Sequence, residues 1–192
     1  EHLKPNQKKK AISRLNKSFP NLINIINNSD NVGQSYSIIK GIKSARYNTI
    51  ITIDGDGQNN PADISKLLKI YSDEKIDLLG GIRKDRKDSI IKIFSSKIAN
   101  KIRKLILNDD CEDTGCSLKV FDKKIFLTFP EFNGVHRFLP ALFKGYGHKT
   151  KFIAVDHRKR KYGKSKYGTI LRLFRGIHDM IKVYFIIKHS SR

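Results

Sequence analysis

Two carboxylates stand two residues apart in the segment 54–58, which reads Asp-Gly-Asp-Gly-Gln. The segment follows an apolar run at residues 49–53 that predicts a buried strand, and Pro61 is placed to begin a helix after it. Open α/β sheets bind ligands at the carboxyl ends of strands, where this segment would lie. The oxygens of Asp54, Asp56 and Gln58 are ligands that hard ions prefer, so the pattern predicts a Mg²⁺ or Mn²⁺ site facing a diphosphate. The alternative is an ordinary Asp/Gly/Asn turn.

A second segment whose side chains suit phosphate binding runs from residue 160 to residue 166, within a dense run of Lys and Arg at 158–166. It combines the cations Arg160 and Lys166 with the hydroxyl of Ser165 and a glycine at 163. Cations and a hydroxyl donor suit phosphate oxygens, and the glycine allows the loop to bend over a ligand. The alternative is a basic surface loop.

The net charge of the chain is unusually positive. The 192 residues include 39 Lys and Arg against 18 Asp and Glu, which gives +21. Such a charge predicts an anionic partner, whether nucleic acid, an anionic membrane or a phosphorylated substrate. Cys111 and Cys116 have no His beside them, so free thiols are expected and not a zinc site.

Hydrophobic periodicity predicts alternating strands and helices. We expect one α/β domain with a mainly parallel sheet flanked by helices. The polar, basic start of the chain lacks the strand that normally opens such a sheet, so the first strand is expected to be absent from this sequence. The predicted strands are 22–26, 49–53, 76–80, 117–121 and 151–155, and the predicted helices are 34–45, 61–71, 89–107 and 137–143.

The last segment of the chain is amphipathic. An apolar stripe of Leu171, Phe174, Ile177 and Ile181 is accompanied by Arg and Lys. The pattern predicts a basic helix that lies on an anionic membrane surface, and the alternative is a helix packed on the core. We therefore divide the chain into a catalytic domain at 1–168 and an interfacial helix at 169–192.

Seven short motifs occur in order along almost the whole chain. Together they are similar to family 2 glycosyltransferases, and more narrowly to the polyprenyl-phosphate glycosyltransferases that include dolichol-phosphate mannosyltransferase. They are Asn-Val-Gly-Gln at 31–34, Asp-Gly-Asp-Gly-Gln-Asn-Asn-Pro at 54–61, Gly-Gly-Ile-Arg at 80–83, Ser-Lys-Ile-Ala-Asn at 96–100, Asp-Thr-Gly-Cys-Ser-Leu-Lys at 113–119, His-Arg-Phe-Leu-Pro at 136–140 and Arg-Lys-Tyr-Gly-Lys-Ser-Lys at 160–166.

This resemblance implies a GT-A fold and inverting transfer of a sugar from a GDP- or UDP-linked donor to undecaprenyl or dolichyl phosphate. It also implies the cytoplasmic face of a membrane as the place of action, with transmembrane helices beyond residue 192 in a longer protein, and it allows a homo-oligomer. The family's N-terminal motifs for the nucleobase and ribose are missing from this sequence, so the donor cannot be named.

The resemblance also assigns roles to individual residues. It places the metal and the donor diphosphate on Asp54, Asp56 and Gln58, with Arg160, Ser165 and Lys166 closing over the diphosphate. It gives the acceptor phosphate to Arg83, Lys92 and Ser96, where Lys92 stands in place of the usual Arg. Asp113 matches an acidic residue near the reacting centre and is assigned as catalytic together with Asp56, while His136 and Arg137 match a pair near the sugar pocket.

Two other classes of protein remain as alternatives at this point. A nucleic-acid-binding domain would explain the charge, but the chain has no recognised binding motif and no aromatic residues interleaved with the cations, so no specific nucleic acid is expected. A sugar nucleotidyltransferase has a related fold, but its glycine-rich N-terminal loop is not seen in the sequence.

Overall fold

A computed structural model describes residues 5–84, 90–158 and 169–190. The chain forms two compact units, Glu1–Val32 and Gly33–Arg192. In the first unit, helix α1 spans Pro5–Ser18. Residues 22–26, predicted as a strand, have no strand conformation, and Leu22 is 80% exposed. A strand requires a hydrogen-bonded neighbour, which the described part of this unit does not provide.

The second unit carries the remaining described elements and confirms the predicted alternation of helices and strands. In chain order they are α2 (Gly33–Ser44), β1 (Thr49–Thr52), α3 (Asp63–Asp73), β2 (Leu78–Arg83), α4 (Ile90–Leu107), β3 (Lys119–Asp122), α5 (Lys123–Phe126), α6 (Val135–Gly145), β4 (Thr150–Val155) and α7 (Thr169–Ser190).

The described strands form one mixed sheet in the order β1-β3-β2-β4. Strand β2 is parallel to β4, whereas β3 is antiparallel to both β1 and β2. The sequence predicted a mainly parallel sheet. Strands β1, β2 and β4 do run in the same direction, but the prediction did not include the reversed direction of β3. Residue Lys119, the first of β3, pairs with Thr52 at the end of β1. The chain thus enters β3 from the carboxyl ends of its neighbours, and the residues before β3 lie at the edge where ligands are expected.

Both faces of the sheet are covered by apolar side chains. Successive residues of a strand point to opposite faces, so Leu78 and Phe121 belong to one cluster while Leu79 and Val120 belong to the other. Helices α6 and α7 complete the first cluster, which includes the edge-to-face ring pair Phe129–Phe143 with centroids 5.0 Å apart.

The two cysteines are free buried thiols, as the sequence predicts. Burial raises the pKa of the Cys111 thiol to about 11 and also raises that of Cys116. Both side chains are therefore neutral, buried core residues at physiological pH, and neither is activated as a thiolate nucleophile.

Helix α7 belongs to the second unit and packs against its hydrophobic core through Met180 and Val183. Two of the four predicted stripe residues, Ile177 and Ile181, are exposed, and the side chains of the other two lie outside the described part of the chain. No described helix combines the length and the apolar character that crossing a membrane requires. The boundary proposed at 168–169 remains a prediction.

Candidate functional site

Ser117 fixes the loop that carries the two predicted metal-binding carboxylates. Because β3 begins beside the end of β1, the Ser117 hydroxyl lies next to this loop and accepts hydrogen bonds from the Asp54 backbone N–H at 3.1 Å and from Asn59 Nδ2 at 2.8 Å. The Thr52 hydroxyl in turn donates to the Ser117 carbonyl at 2.7 Å. No local pattern in the sequence indicated a role for Ser117, since only the reversed direction of β3 brings it to this position.

The second half of the loop is held by a turn and by the segment after β4. Asp56 Oδ1 accepts from the Gln58 backbone N–H at 3.1 Å, and Gly57 has φ of +76°, which favours glycine. The backbone N–H of Arg158 donates to the Gln58 carbonyl at 2.8 Å. The same strand end also positions Asn60, whose Oδ1 accepts from Arg158 Nη2 at 2.5 Å.

The side chains of the loop fit a hard divalent cation by their chemistry. Asp54, Asp56 and Gln58 are partly buried on one turn and offer only oxygen as ligands. Within the described residues no cluster of three or more His, Cys, Asp or Glu side chains could hold a metal. Two carboxylates and an amide are nevertheless a usual protein contribution for Mg²⁺, which takes its remaining ligands from water and substrate phosphates.

Arg83 and Asp113, predicted for different roles, form a single ion pair. Arg83 Nε and Nη2 donate to the two carboxylate oxygens of Asp113 at 2.6 and 2.7 Å, and the Arg83 backbone N–H donates to Oδ2 at 3.2 Å. A Cβ on Gly115 would lie 2.8 Å from Arg83 Nη2, so this glycine makes room for the guanidinium. The carboxylate therefore orients Arg83 at the end of β2 and is poorly placed to remove a proton.

A buried cation holds the loop that presents Asp113. Arg103 on α4 pairs bidentately with Asp109 at 2.8 and 2.9 Å, and it also donates to the Thr114 hydroxyl at 2.8 Å and to the Cys111 carbonyl. Asn100, one turn earlier on α4, donates to the Glu112 carbonyl at 2.9 Å. Helix α4, on which Lys92 and Ser96 were predicted, is thus tied to the loop that orients Arg83.

A cavity of about 700 Å³ opens beside β1. Asp54 lines it, together with Lys119, His136 and Arg137. Lys119 is buried, and burial lowers its pKa while its Nζ donates to the carbonyl of Cys116. The signal in the sequence was a cation inside an apolar strand, between Leu118 and Val120.

His136 lies at the start of α6, and the placement of His136 and Arg137 near a sugar pocket, which the resemblance implied, remains a prediction. His136 Nδ1 is 2.7 Å from the hydroxyl of the buried Ser35 on α2. Burial, and then the charges of Arg137 and Lys119, lower the pKa of His136 to about 4, so the ring is neutral at physiological pH. Arg137 pairs with Asp179 of α7 at 2.5 Å.

The remaining predicted residues cannot be placed at the site by their side chains. Arg160, Ser165 and Lys166 lie outside the described residues. Lys92 and Ser96 belong to α4, but their side chains are outside the described part of the chain. The assignments of the donor loop and of these two acceptor residues remain predictions.

Comparison with known proteins gives relatives for almost the whole chain. A dodecaprenyl-phosphate galacturonate synthase of Rhizobium johnstonii is 36% identical over 173 residues, which cover 88% of this chain and 51% of the relative. An undecaprenyl-phosphate 4-deoxy-4-formamido-L-arabinose transferase of Shewanella sediminis is 34% identical over 138 residues, covering 72% of this chain and 41% of the relative. The chain therefore spans about half the length, or less, of these curated relatives.

Solved structures of a glucosyl-3-phosphoglycerate synthase from Mycobacterium tuberculosis share the fold. The complex with phosphoglyceric acid gives a TM-score of 0.60 at 11% identity and covers 96% of this chain and 65% of that one. The complex with Mn²⁺, UDP-glucose and glycerol 3-phosphate gives 0.56 at 12% identity, with coverage of 95% and 64%.

The family assignment follows from the match along the chain. The family Glycosyl transferase family 2 matches residues 7–128, which is more than half of the sequence and includes the loop 54–58 and the Arg83–Asp113 pair. The expected GT-A-type architecture agrees with the mixed sheet and its flanking helices. The chain belongs to glycosyltransferase family 2.

Proposed function

We propose that this chain transfers a sugar, with inversion, from a nucleoside-diphosphate donor to a polyprenyl phosphate at the cytoplasmic face of a membrane. The observation that carries the proposal is the loop 54–58, which presents two carboxylates and an amide at the carboxyl end of β1 beside a cavity. The names of both curated relatives refer to a polyprenyl phosphate, which supports a polyprenyl phosphate as the acceptor.

The donor diphosphate is proposed to bind at the loop 54–58. Asp54, Asp56 and Gln58 would hold Mg²⁺ or Mn²⁺, which would neutralise the diphosphate as it leaves the sugar. The presence of Mn²⁺ and UDP-glucose in a structure of the same fold supports a divalent ion. Arg160, Ser165 and Lys166 are proposed to contact the diphosphate oxygens from the other side.

The acceptor phosphate is proposed to bind near Arg83, with Lys92 and Ser96 from α4. Asp113 holds the guanidinium of Arg83 by two hydrogen bonds and its backbone N–H by a third, so the cation is already oriented before a substrate arrives. A phosphate monoester has a second pKa of about 6 and is largely dianionic at neutral pH. Its oxygen can form the bond to the anomeric carbon while the bond to the diphosphate breaks, and no strong general base is needed.

The experiment is a lipid-product assay on the full chain. We expect label from a panel of radiolabelled UDP- and GDP-sugars to enter the organic phase when Mn²⁺ and undecaprenyl phosphate are present. Asp56→Asn should abolish the transfer because it removes a ligand charge from a partly buried loop at the sheet edge and not from the core. Asp73→Asn is the matched control, since Asp73 is an exposed carboxylate at the far end of α3.

Three results would contradict the proposal. Transfer that is equal in Asp56→Asn and Asp73→Asn would remove the metal assignment. Label that never reaches the lipid with any donor would remove the acceptor assignment. Release of pyrophosphate from a nucleoside triphosphate and a sugar phosphate would instead support a nucleotidyltransferase.

A further inference from the structure

The hydrogen bonds of Ser35 determine which nitrogen of His136 carries a proton. Ser35 is fully buried, and its hydroxyl oxygen accepts the backbone N–H of Gly134 at 2.7 Å. Its other hydrogen-bond contact with a described residue is His136 Nδ1, also at 2.7 Å. A buried hydroxyl needs an acceptor for its own hydrogen, and Nδ1 is the acceptor within reach. Ser35 therefore donates to Nδ1, and the proton of the neutral ring is on Nε2.

The surroundings of His136 keep the ring neutral and determine what it can bind. Lys119 and Arg137 line the same cavity and place positive charge near the ring. A second proton on His136 is disfavoured there, so the ring does not compete for a proton with a substrate. The Nε2–H is consequently a fixed, uncharged donor, and no described residue accepts a hydrogen bond from it.

The donors on this side of the cavity select the chemistry of an occupant. Lys119, His136 and Arg137 all offer N–H groups, although Arg137 is also paired with Asp179. An occupant with oxygen acceptors is favoured there, whereas a free ammonium group would find no acceptor on these three side chains. Asp54 lines the same cavity, so an occupant that reaches His136 lies beside the proposed diphosphate site.

We propose that His136 is a sugar-binding residue whose neutral Nε2–H donates to an oxygen of the transferred sugar, with Ser35 as the positioning residue that fixes the tautomer. This inference rests on the proposed function, because it places the donor sugar in the cavity beside Asp54. It excludes His136 as a general base and predicts selection against donors with a free amine at the sugar position that faces His136.

The first test reads the tautomer without any substrate. Imidazole ¹⁵N spectra of the full chain at pH 7 should show His136 as the Nε2–H form, assigned by comparison with His136→Gln. In Ser35→Ala the ring loses its donor to Nδ1 and should become a mixture of the two neutral tautomers. A ring that is doubly protonated, or that carries its proton on Nδ1 in the unmodified chain, would overturn the proposal.

The second test separates the sugar from the nucleotide. UDP-glucose and GDP-mannose are titrated with Mn²⁺ into the full chain, and UDP and GDP without a sugar are the matched ligands. His136→Gln keeps an N–H donor near the position of Nε2, whereas His136→Asn keeps a partner for Ser35 but is too short to reach that position. We expect His136→Asn to weaken binding of the preferred nucleotide sugar by about tenfold, as for one lost hydrogen bond, and to leave the bare nucleotide unchanged.

The outcomes distinguish this proposal from the function on which it rests. Recovery of sugar-nucleotide affinity in His136→Gln, with thermal unfolding confirming that both variants fold, supports the proposal. If His136→Asn binds both the nucleotide and the nucleotide sugar as tightly as the unmodified chain does, His136 is not part of the sugar site. The proposed function is not contradicted by that result. Failure of every nucleotide to bind the unmodified chain would overturn both.

Discussion

Arg83 and Asp113 depend on each other because their ion pair is largely shielded from water. The exposed fraction is 16% for the arginine side chain and 7% for the aspartate. Two charges at this depth stabilise each other, so loss of either one removes the charge that compensates the other. The pair therefore fixes the position of a cation at the end of β2, and its two members should not respond to mutation as independent residues.

Removal of one member of this pair should destabilise the fold more than removal of both. We expect Arg83→Met to lower the free energy of unfolding by about 3–5 kcal/mol, since Asp113 then loses the guanidinium that compensates its buried charge. The double variant Arg83→Met/Asp113→Asn should recover part of that loss. Urea denaturation of the two single variants and the double variant measures the coupling, and strictly additive effects would show that the pair is not a unit.

The pair also predicts how acceptor binding changes. Asp113→Asn keeps the shape of the side chain but loses the charge that holds Arg83. We expect the KM for polyprenyl phosphate to rise while the affinity for the nucleotide sugar stays the same. Steady-state kinetics with each substrate varied in turn provide the measurement, and a loss of donor affinity instead would assign Arg83 to the donor diphosphate.

His136 should make the stability of the fold depend on pH below neutrality. Its pKa is about 4 in the folded chain against an ordinary value of 6.5, so the unfolded chain binds more protons between these values. The contribution to stability is complete above pH 6.5 and is lost as the pH falls towards 4, by about 3 kcal/mol in total. Unfolding of the unmodified chain and of His136→Gln over this range tests the prediction, which fails if the two curves stay parallel.

Residues of the site differ in how far the sequence could predict them. Asp54, Asp56 and Gln58 were found because their spacing and their place after an apolar run are local signals. Ser117 and Ser35 gave no such signal, because each acts on a residue distant in sequence. Ser117, for example, is 63 residues from Asp54, whose backbone it binds.

At the scale of elements, periodicity predicted the strands and the longer helices of the second unit, but not the short helix α5 or the direction of β3. Strand direction depends on the loop at 108–118, which returns the chain to the carboxyl ends of β1 and β2, and periodicity carries no information about it. The run at 22–26 shows the opposite failure. Its apolar residues satisfied a strand pattern, but the described part of its unit contains no strand with which it could pair.

The contact between β2 and β4 requires glycine at two successive positions. A Cβ on Gly80 would lie 2.7 Å from a ring carbon of Phe152, and a Cβ on Gly81 would lie 2.8 Å from a methyl group of Val155. Strand β2 is central, so its neighbours on both sides restrict any adjustment. These two glycines therefore act through packing and not through backbone conformation.

We expect Gly80→Ala to lower the free energy of unfolding by about 1–3 kcal/mol because the added methyl group overpacks the sheet. Gly41→Ala is the matched control, since a Cβ at this helical position of α2 meets nothing within 4 Å. The control should stabilise the chain by about 0.5–1 kcal/mol through its higher helix propensity. Thermal or urea unfolding of both variants provides the measurement, and equal effects of the same sign would contradict the packing argument.

At the scale of the whole molecule, the charge of +21 has more than one candidate partner. Helix α7 supplies a second property, because Ile177, Ile181, Tyr184 and Phe185 are 41–51% exposed and occur at helical spacing on one face. Exposed apolar side chains beside cations suit the interface of an anionic membrane, whereas nucleic acid offers no apolar layer for such a face. We therefore expect membrane binding to have an electrostatic and an apolar component.

Salt separates these two components. The full chain should co-sediment with vesicles that contain anionic lipid, and rising salt should reduce this binding without abolishing it. Ile181→Ser/Phe185→Ser should remove most of the binding that remains at high salt while leaving the net charge unchanged. Tyr47→Ser/Leu127→Ser is the matched control, since both residues are exposed, at 73% and 44%, but lie outside α7. Equal losses of vesicle binding in the two double variants would show that α7 is not the membrane-docking face.

Oligonucleotides should bind weakly and without sequence preference, and their binding should fall steeply as salt rises. Sequence-selective nanomolar binding of an oligonucleotide at physiological salt would instead show that the charge serves a nucleic acid. Electrostatic attraction alone does not distinguish sequences.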